Sequence, residues 1–300
     1  MIIDIPSYNH FQSSGLGYLN LSMSTILDLL RLLEDVEIGK WDTEGEVTSE
    51  FWEAAQQPLI LSLSLLHQGS DLLMKSHICK VSPFLLIANQ PQHWPKRCDS
   101  HDSSFSDFYS LDSKDLTKAF NTVASFRLDR SFVSVIDRVR VERNRYMHSV
   151  VQNAHLAPKQ VIADILLVHD SLVQPQGWLG QRRAYLERNH EAVIFSTDYV
   201  NNWISWEILQ TLRLIGPALV KRHFGISPKK RFYICPQCDC EEKFKVAQLE
   251  QNTPISTSLK CYACGITFQV SRSHCRFCDG NVLSNENFCL SCGRSQEESF

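Results

Sequence analysis

The fold of the C-terminal region follows from four cysteine pairs: Cys235-Pro-Gln-Cys238, Cys261-Tyr-Ala-Cys264, Cys275-Arg-Phe-Cys278 and Cys289-Leu-Ser-Cys292. Each C-x-x-C turn brings two thiolates together, and two such turns complete a tetrahedral shell of sulfurs around one metal ion. The first two pairs are separated by 22 residues and the last two by ten. This spacing predicts two Zn²⁺ ions, each bound by four cysteines. A shell of four cysteines has no open position, so both ions are predicted to be structural.

This pattern resembles the tandem zinc ribbons that many bacterial proteins carry, most closely in the ending Phe288-Cys-Leu-Ser-Cys-Gly293. The ribbons are predicted over residues 231–270 and 271–297. Redox-active cysteine pairs are the alternative, but they require a βαβ context that this region lacks. Cys240 is a ninth thiol beside the first knuckle and is interpreted as a bystander, although it or His274 is an alternative ligand.

The composition of the chain indicates where the protein is located and what its cysteines do. The chain has 300 residues, a net charge of −3 and no apolar run of the length that a membrane span needs. The N-terminus lacks the basic start and apolar stretch of a secretory signal. Nine of the eleven cysteines lie beyond residue 234, a clustering that favours metal binding over disulfides. We therefore expect a cytoplasmic protein with no membrane association. Its negative net charge gives no overall positive potential of the kind that attracts nucleic acids.

The first 224 residues are predicted to be a helical domain, followed by a linker at 225–230 and the ribbons from 231 to the C-terminus. Apolar residues recur at three- and four-residue steps, and the segment 88–113 is predicted to be a long loop. No strand is predicted before residue 230. Pro58 predicts either a kink or a break in its segment. The predicted helical segments are 21–33, 51–78, 116–126, 132–151, 160–173 and 197–220.

Arg143 occupies a position that helical periodicity assigns to the core. When the residues of this segment are projected around a helix, at about 100° of rotation per residue, Arg143 falls in the middle of an apolar stripe. A charged group facing a core is costly unless it is paired, so we expect Arg143 to face a partner protein, a carboxylate or a phosphate. Asn144 and His148 are i, i+4 neighbours and can touch. The stripe comprises Phe132, Val135, Ile136, Val139, Tyr146, Met147 and Val150.

The segment Arg143-Asn144-x-x-x-His148 resembles the R-x4–6-H signature of HEPN domains, in which a polar residue follows the arginine. Arg183 and His190 also satisfy the spacing, but Ala184 follows that arginine, so we interpret this second match as fortuitous. The resemblance implies a mainly α fold, a HEPN-like helical bundle followed by a small all-β double zinc-ribbon region.

The same resemblance implies an activity. Many HEPN proteins are metal-independent endoribonucleases that act as homodimers and cleave RNA by attack of the 2′-hydroxyl, leaving a 2′,3′-cyclic phosphate. In that mechanism His148 transfers protons, Arg143 binds the phosphate, and Asn144 orients His148 or a phosphate oxygen. The family's usual settings imply a bacterial toxin or an antiviral defence effector, with an antitoxin or defence-system protein as partner.

A non-catalytic HEPN and zinc-ribbon module that binds RNA or protein is the alternative function. The negative net charge favours it, whereas the presence of both Arg143 and His148 favours the enzyme. From residue 221 onward there are eleven Lys/Arg and eight Asp/Glu residues, a balance that leaves the ligand of the ribbons open.

Overall fold

A computed structural model describes residues 1–35, 46–148, 155–173, 177–194, 197–238, 244–251 and 253–296. The described chain is mainly helical and carries a small antiparallel sheet near its C-terminus, as predicted. It forms two compact units, Met1–Gln174 and Pro175–Phe300. None of the described helices combines the length and the apolar content needed to cross a lipid bilayer.

Two long antiparallel helices form the core of the first unit. Helix α1 spans Tyr8–Asp35 and helix α3 spans Gln56–Val81. Leucine, isoleucine and methionine side chains give each helix an apolar stripe that is buried against the other. Ser22 and Ser62 lie inside this interface, where each hydroxyl donates to the other residue's carbonyl oxygen at 2.8 and 2.9 Å. The two serines therefore satisfy each other's polar groups within the core.

Two glycines allow α1 and α3 to approach closely. A Cβ atom on Gly15 would lie 2.8 Å from Leu73 Cγ and 3.1 Å from the Gly69 carbonyl oxygen, whereas Gly17 has open space around it. We expect Gly15→Ala to lower the free energy of unfolding by about 1–3 kcal/mol through overpacking. Gly17→Ala is the matched control, and its better helix propensity should raise stability by up to about 1 kcal/mol. Urea titrations followed by circular dichroism measure both, and equal stabilities would contradict the close approach.

The segment predicted at 51–78 is two helices. Helix α2 spans Glu46–Ala54, so the break falls at Ala55 and not at Pro58. Pro58 lies in the first turn of α3, where backbone N–H groups have no partner within the helix. Proline therefore removes no hydrogen bond at this position.

Three further helices of the first unit agree with the predicted segments to within a few residues where the chain is described, and the predicted end at 149–151 lies outside the described residues. Helix α4 spans Ser113–Val123, α5 spans Arg130–His148 and α6 spans Pro158–Leu172. All three pack against α3, and α5 also contacts α6. Asp112 caps α4 by accepting from the backbone N–H groups of its first turn, which satisfies two donors that the helix leaves unpaired.

The expectation that no strand precedes residue 230 is wrong. Strand β1, Ile2–Ile3, pairs in parallel with strand β2, Ser103–Ser104, which lies within the segment predicted as a loop. Each strand has two residues. Strands this short contain no alternation of apolar and polar residues, so their sequence carries no signal.

The apolar stripe of α5 is shorter than predicted. Phe132, Ile136 and Val139 are buried, but Met147 is 54% exposed and Val150 lies outside the described residues. The buried positions of α5 all precede residue 140, so the last turns of the helix are only partly covered by its neighbours. Placing Met147 on the buried stripe was wrong for this reason.

The second unit begins with helices that the sequence analysis only partly predicts. Helices α7, Trp178–Leu186, and α8, His190–Ile194, are not predicted. The segment predicted at 197–220 is two helices, α9, Thr197–Ile215, and α10, Pro217–Phe224. Gly216, with φ of +78°, and the proline after it interrupt the helix.

A three-stranded antiparallel sheet follows in the first ribbon. Strands β3, Ala247–Leu249, β4, Ser258–Cys261, and β5, Thr267–Gln269, lie in the order β3-β4-β5. Tyr233 also pairs with β3, through a single antiparallel bridge to Ala247.

The division between units differs from the predicted domain boundary. It falls between Gln174 and Pro175, so α7–α10 belong to the same unit as the ribbons. The predicted linker at 225–230 is bonded to the first ribbon: Gln248 exchanges two hydrogen bonds with the Ser227 backbone, at 3.1 and 2.7 Å. The change in composition at 225–230 therefore marks where the cysteine-rich sequence begins. It does not mark a domain boundary, because residues 225–230 are hydrogen-bonded to the first ribbon.

Candidate functional site

The first ribbon brings four of the predicted cysteines together. The Sγ atoms of Cys235 and Cys264 are 3.8 Å apart, as are those of Cys238 and Cys261. All four sulfurs lie within 4.8 Å of one another. Cys261 ends β4, and the other three lie in the turns beside the sheet. The backbone N–H of Gln237 donates to Cys235 Sγ at 3.5 Å, an arrangement that favours a thiolate.

The second ribbon brings the other four cysteines together in the same way. The Sγ–Sγ distances are 3.8 Å for Cys275 and Cys292 and 3.7 Å for Cys278 and Cys289. Backbone N–H groups again donate to the sulfurs, from Phe277 to Cys275 and two residues after Cys278, both at 3.3 Å. Each ribbon therefore forms a compact set of four converging thiols.

The geometry of both sets fits a single tetrahedral metal ion. A tetrahedron with metal–sulfur bonds of about 2.3 Å has sulfur–sulfur edges of about 3.8 Å. Gly265 and Gly293 follow the second pair of each ribbon with φ of +76° and +74°, a conformation that favours glycine. Gly280 serves differently: a Cβ atom there would lie 2.7 Å from Ser291 Cβ, so only glycine allows this close approach.

His274 and Cys240 are the two alternative metal ligands considered from the sequence. His274 is exposed and does not belong to either set of converging ligand atoms among the described residues. Cys240 lies outside the described residues.

Arg143 lies half-buried on α5, one turn beyond Val139 on the same face. Its Nη1 atom donates to Asn144 Oδ1 at 2.9 Å. Within the described ranges it makes no ion pair with a carboxylate. A guanidinium without an ion-paired carboxylate retains its capacity to bind an anion.

The structure joins Asn144 to Arg143, whereas His148 stands apart from both. His148 is the last residue of α5 and is exposed, and no described residue forms a hydrogen bond with it. The hydrogen bond between Asn144 and His148 that their spacing allows is not formed. One copy of the chain therefore presents an arginine–asparagine pair and a separate exposed imidazole.

A polar cluster of His67, Asp71 and Ser113 lies within electrostatic reach of Arg143 and is not predicted from the sequence. Ser113 Oγ lies 2.8 Å from His67 Nε2 and also donates to Asp71 Oδ2. His67 Nδ1 lies 3.9 Å from the same carboxylate oxygen. The signal available in the sequence was the i, i+4 spacing of His67 and Asp71 on one helix. Ser113 is far from both along the chain, so only the folded structure reveals the cluster.

Burial controls the ionisation of this cluster. Burial lowers the pKa of His67, the carboxylate of Asp71 opposes that effect, and the charge of Arg143 adds to it. Burial raises the pKa of Asp71, while the positive charges of His67 and Arg143 oppose the rise. Asp71 Oδ1 is buried and has no hydrogen-bond partner among the described residues. Arg143 thus lies within electrostatic reach of a buried carboxyl that is costly to ionise.

The second match to the arginine–histidine spacing has a structural role. Arg183 Nε donates to the Ala263 carbonyl oxygen at 3.1 Å, and its Nη1 donates to Glu187 at 2.9 Å. These bonds tie α7 to the first ribbon within the second unit. The interpretation of this match as fortuitous agrees with these contacts.

The chain matches no protein-family model, no curated protein and no solved structure. Its candidate sites therefore rest on the chemistry of its own residues: two sets of four cysteines in the second unit, and Arg143 with its neighbours in the first.

Proposed function

We propose that the first unit is a metal-independent endoribonuclease of the HEPN type and that the second unit carries two structural zinc ions. The observation that carries the ribonuclease proposal is the state of Arg143. Arg143 is half-buried on the face of α5 that carries Val139, its guanidinium donates to Asn144, and it makes no ion pair with a carboxylate in the described part of the chain. Phosphate matches the planar fork of such a group.

Zinc is the metal we assign to both ribbons. Tetrahedral sets of four thiolates are typical of Zn²⁺ or of iron–sulfur sites. The sulfur–sulfur distances of 3.7–3.8 Å fit one ion and leave no room for a polynuclear cluster. Since cysteine occupies every position of each shell, the ions stabilise the ribbons and do not bind substrate.

The proposed reaction needs no metal. The 2′-hydroxyl of the RNA attacks the adjacent phosphorus, the bond to the 5′-oxygen breaks, and the products are a 2′,3′-cyclic phosphate and a 5′-hydroxyl. His148 removes the proton from the 2′-hydroxyl or donates one to the leaving oxygen. Arg143 stabilises the negative charge that develops on the phosphate oxygens, and Asn144 holds its guanidinium.

Two copies of the chain are needed to supply both proton transfers. One copy offers one exposed imidazole on α5, whereas the reaction uses a base and an acid. We therefore expect a homodimer in which α5 of each protomer contributes to a shared cleft. Met147, exposed and next to His148, gives this end of α5 an apolar surface for such a contact. Sedimentation equilibrium measures the dimer directly.

A non-catalytic module that binds RNA or protein is the second candidate. It is favoured by the net charge of −3 and by the exposed position of His148, which no described side chain orients. In this case Arg143 binds a phosphate or an acidic partner without chemistry. Cleavage assays separate the two functions.

The expected setting is a bacterial cytoplasm, where the enzyme acts as a toxin or as an antiviral effector against cellular or viral RNA. An antitoxin or a defence-system protein is then the protein partner. Growth arrest on expression of the chain, relieved by His148→Ala, is the observation that would support this setting.

The direct test of the function is a cleavage assay in excess EDTA. We expect the full-length protein to cut a single-stranded RNA and to leave 2′,3′-cyclic phosphate and 5′-hydroxyl ends, which mass spectrometry identifies. A matched oligonucleotide with one 2′-deoxy sugar at the cut site should resist cleavage at that bond, because it lacks the attacking hydroxyl. Zinc retained per chain is measured in the same samples. Cleavage of the deoxy bond, or cleavage only after Mg²⁺ is added, would contradict the mechanism.

A further inference from the structure

The second ribbon exposes an aromatic ring at its first knuckle. Phe277 lies between Cys275 and Cys278 and is 52% exposed. The guanidinium of Arg294 lies over its ring, 5.4 Å from the centroid. About half of the residue is thus in water even with a cation covering one face. A single exposed phenylalanine is common on protein surfaces and does not by itself indicate a binding site. The residues around Phe277 therefore decide whether this surface binds a ligand.

Three arginines lie at or next to this knuckle, and one of them covers the ring. Arg294 covers one face and Arg276 precedes the phenylalanine in the chain; both are exposed. Arg231 is also exposed and donates to the Asp279 carbonyl oxygen at 3.4 Å, which places its guanidinium beside the same knuckle. Within residues 275–280 the acidic residue is Asp279. The described residues that these contacts place at the knuckle therefore carry more positive than negative charge.

The first ribbon repeats this combination of ring and cation. Tyr262 lies inside the pair Cys261–Cys264, and the ammonium group of Lys260 is 5.6 Å from its ring centroid. The tyrosine hydroxyl donates to the Gly225 carbonyl oxygen at 3.2 Å, so this ring is held in place and is only partly accessible. Of the two knuckles, the one in the second ribbon presents the more exposed ring.

We propose that the Phe277 surface, defined as Phe277 with Arg231, Arg276 and Arg294, binds single-stranded RNA. A base stacks on the phenylalanine ring, and the guanidinium groups contact the flanking phosphates, the combination of contacts that binds unpaired strands in proteins. A duplex offers no free base face for such stacking. The inference rests on the proposed function, because it assigns to the ribbons the RNA that the first unit cleaves.

The arginines also have a simpler structural explanation. Four thiolates around Zn²⁺ carry net negative charge, and nearby guanidinium groups offset it. This role alone predicts that removing an arginine weakens zinc binding and leaves RNA affinity unchanged wherever zinc is retained. Zinc content therefore separates the two roles.

The test uses the full-length, zinc-loaded chain carrying His148→Ala, so that the RNA stays intact. Fluorescence anisotropy measures binding of a labelled oligouridylate of about 12 nucleotides and of an RNA duplex of the same length. We expect Phe277→Ala to weaken single-strand binding about tenfold. Arg294→Ala should weaken it as well and reduce the slope of log K against log salt by about 0.7. Ile255→Ala, which removes another exposed apolar residue of the same unit, should bind like the parent protein.

Phe277→Trp is the rescue variant, because it keeps a stacking ring, and it should retain the parent affinity. Equal affinity of Phe277→Ala and the parent, equal affinity for duplex and single strand, or a loss of zinc that parallels each loss of binding would overturn the proposal. Absence of cleavage by the wild-type chain would count against the proposed function alone, since this binding measurement does not use His148.

Discussion

Replacing His148 with alanine is expected to slow RNA cleavage by about 10²–10⁴-fold, the usual contribution of a positioned general acid or base. The same change should alter the free energy of unfolding by no more than about 0.5 kcal/mol. The imidazole is exposed and forms no hydrogen bond with the described residues, so the fold loses no contact there. Initial cleavage rates on one RNA, together with thermal unfolding curves of both proteins, measure the two quantities.

Two further variants make this result specific. His155→Ala removes another exposed histidine of the first unit and should cleave at the wild-type rate. Arg143→Ala should lower the rate by about 10²–10³-fold, because it removes the group that stabilises the transition-state charge. A contaminating ribonuclease would give the same rate in all preparations. Wild-type activity of the His148→Ala protein would eliminate His148 from the mechanism.

Replacing Cys261 with serine is expected to release the metal of the first ribbon and unfold its sheet. Cys261 is fully buried and is itself the last residue of β4. Structural zinc contributes about 10–16 kcal/mol of apparent binding free energy in small zinc-binding peptides. Three strands of three or four residues cannot replace that contribution by apolar burial. Zinc per chain should fall from two to one, and the amides of β3–β5 should lose protection from hydrogen exchange.

Cys98→Ser is the matched control for this experiment. Cys98 is a half-buried free cysteine in the first unit, outside both sets of converging thiols. Its replacement should leave both zinc ions bound and the ribbon amides protected. If the Cys261→Ser protein still binds two zinc ions with an intact sheet, the assignment of the first site is incorrect.

The polar cluster of His67, Asp71 and Ser113 shows a limit of sequence reasoning. His67 and Asp71 share one helix, but the hydroxyl that joins them comes from the start of α4. Nothing local to any of these residues predicts that they meet, because the contact exists only after α3 and α4 pack. The charge of Arg143 reaches this cluster only because α5 also packs against α3.

Local chemistry was sufficient for several features. The C-x-x-C spacing predicts both sets of converging cysteines, because ligand geometry at a knuckle depends on residues close together in the chain. The periodicity of apolar residues predicts the helices of the first unit, because helical hydrogen bonds are also local. Arg143 could be singled out for the same reason, as a charged residue in an apolar pattern.

Packing between distant segments settled the rest. It placed α7–α10 with the ribbons, ended the buried stripe of α5 before Met147, and assigned Arg183 to a structural contact with Ala263. It also left His148 in solvent and Arg143 half-buried. Each of these outcomes depends on which surfaces meet after folding. Burial at such contacts is determined by the whole unit, so the periodicity of one helix cannot predict it.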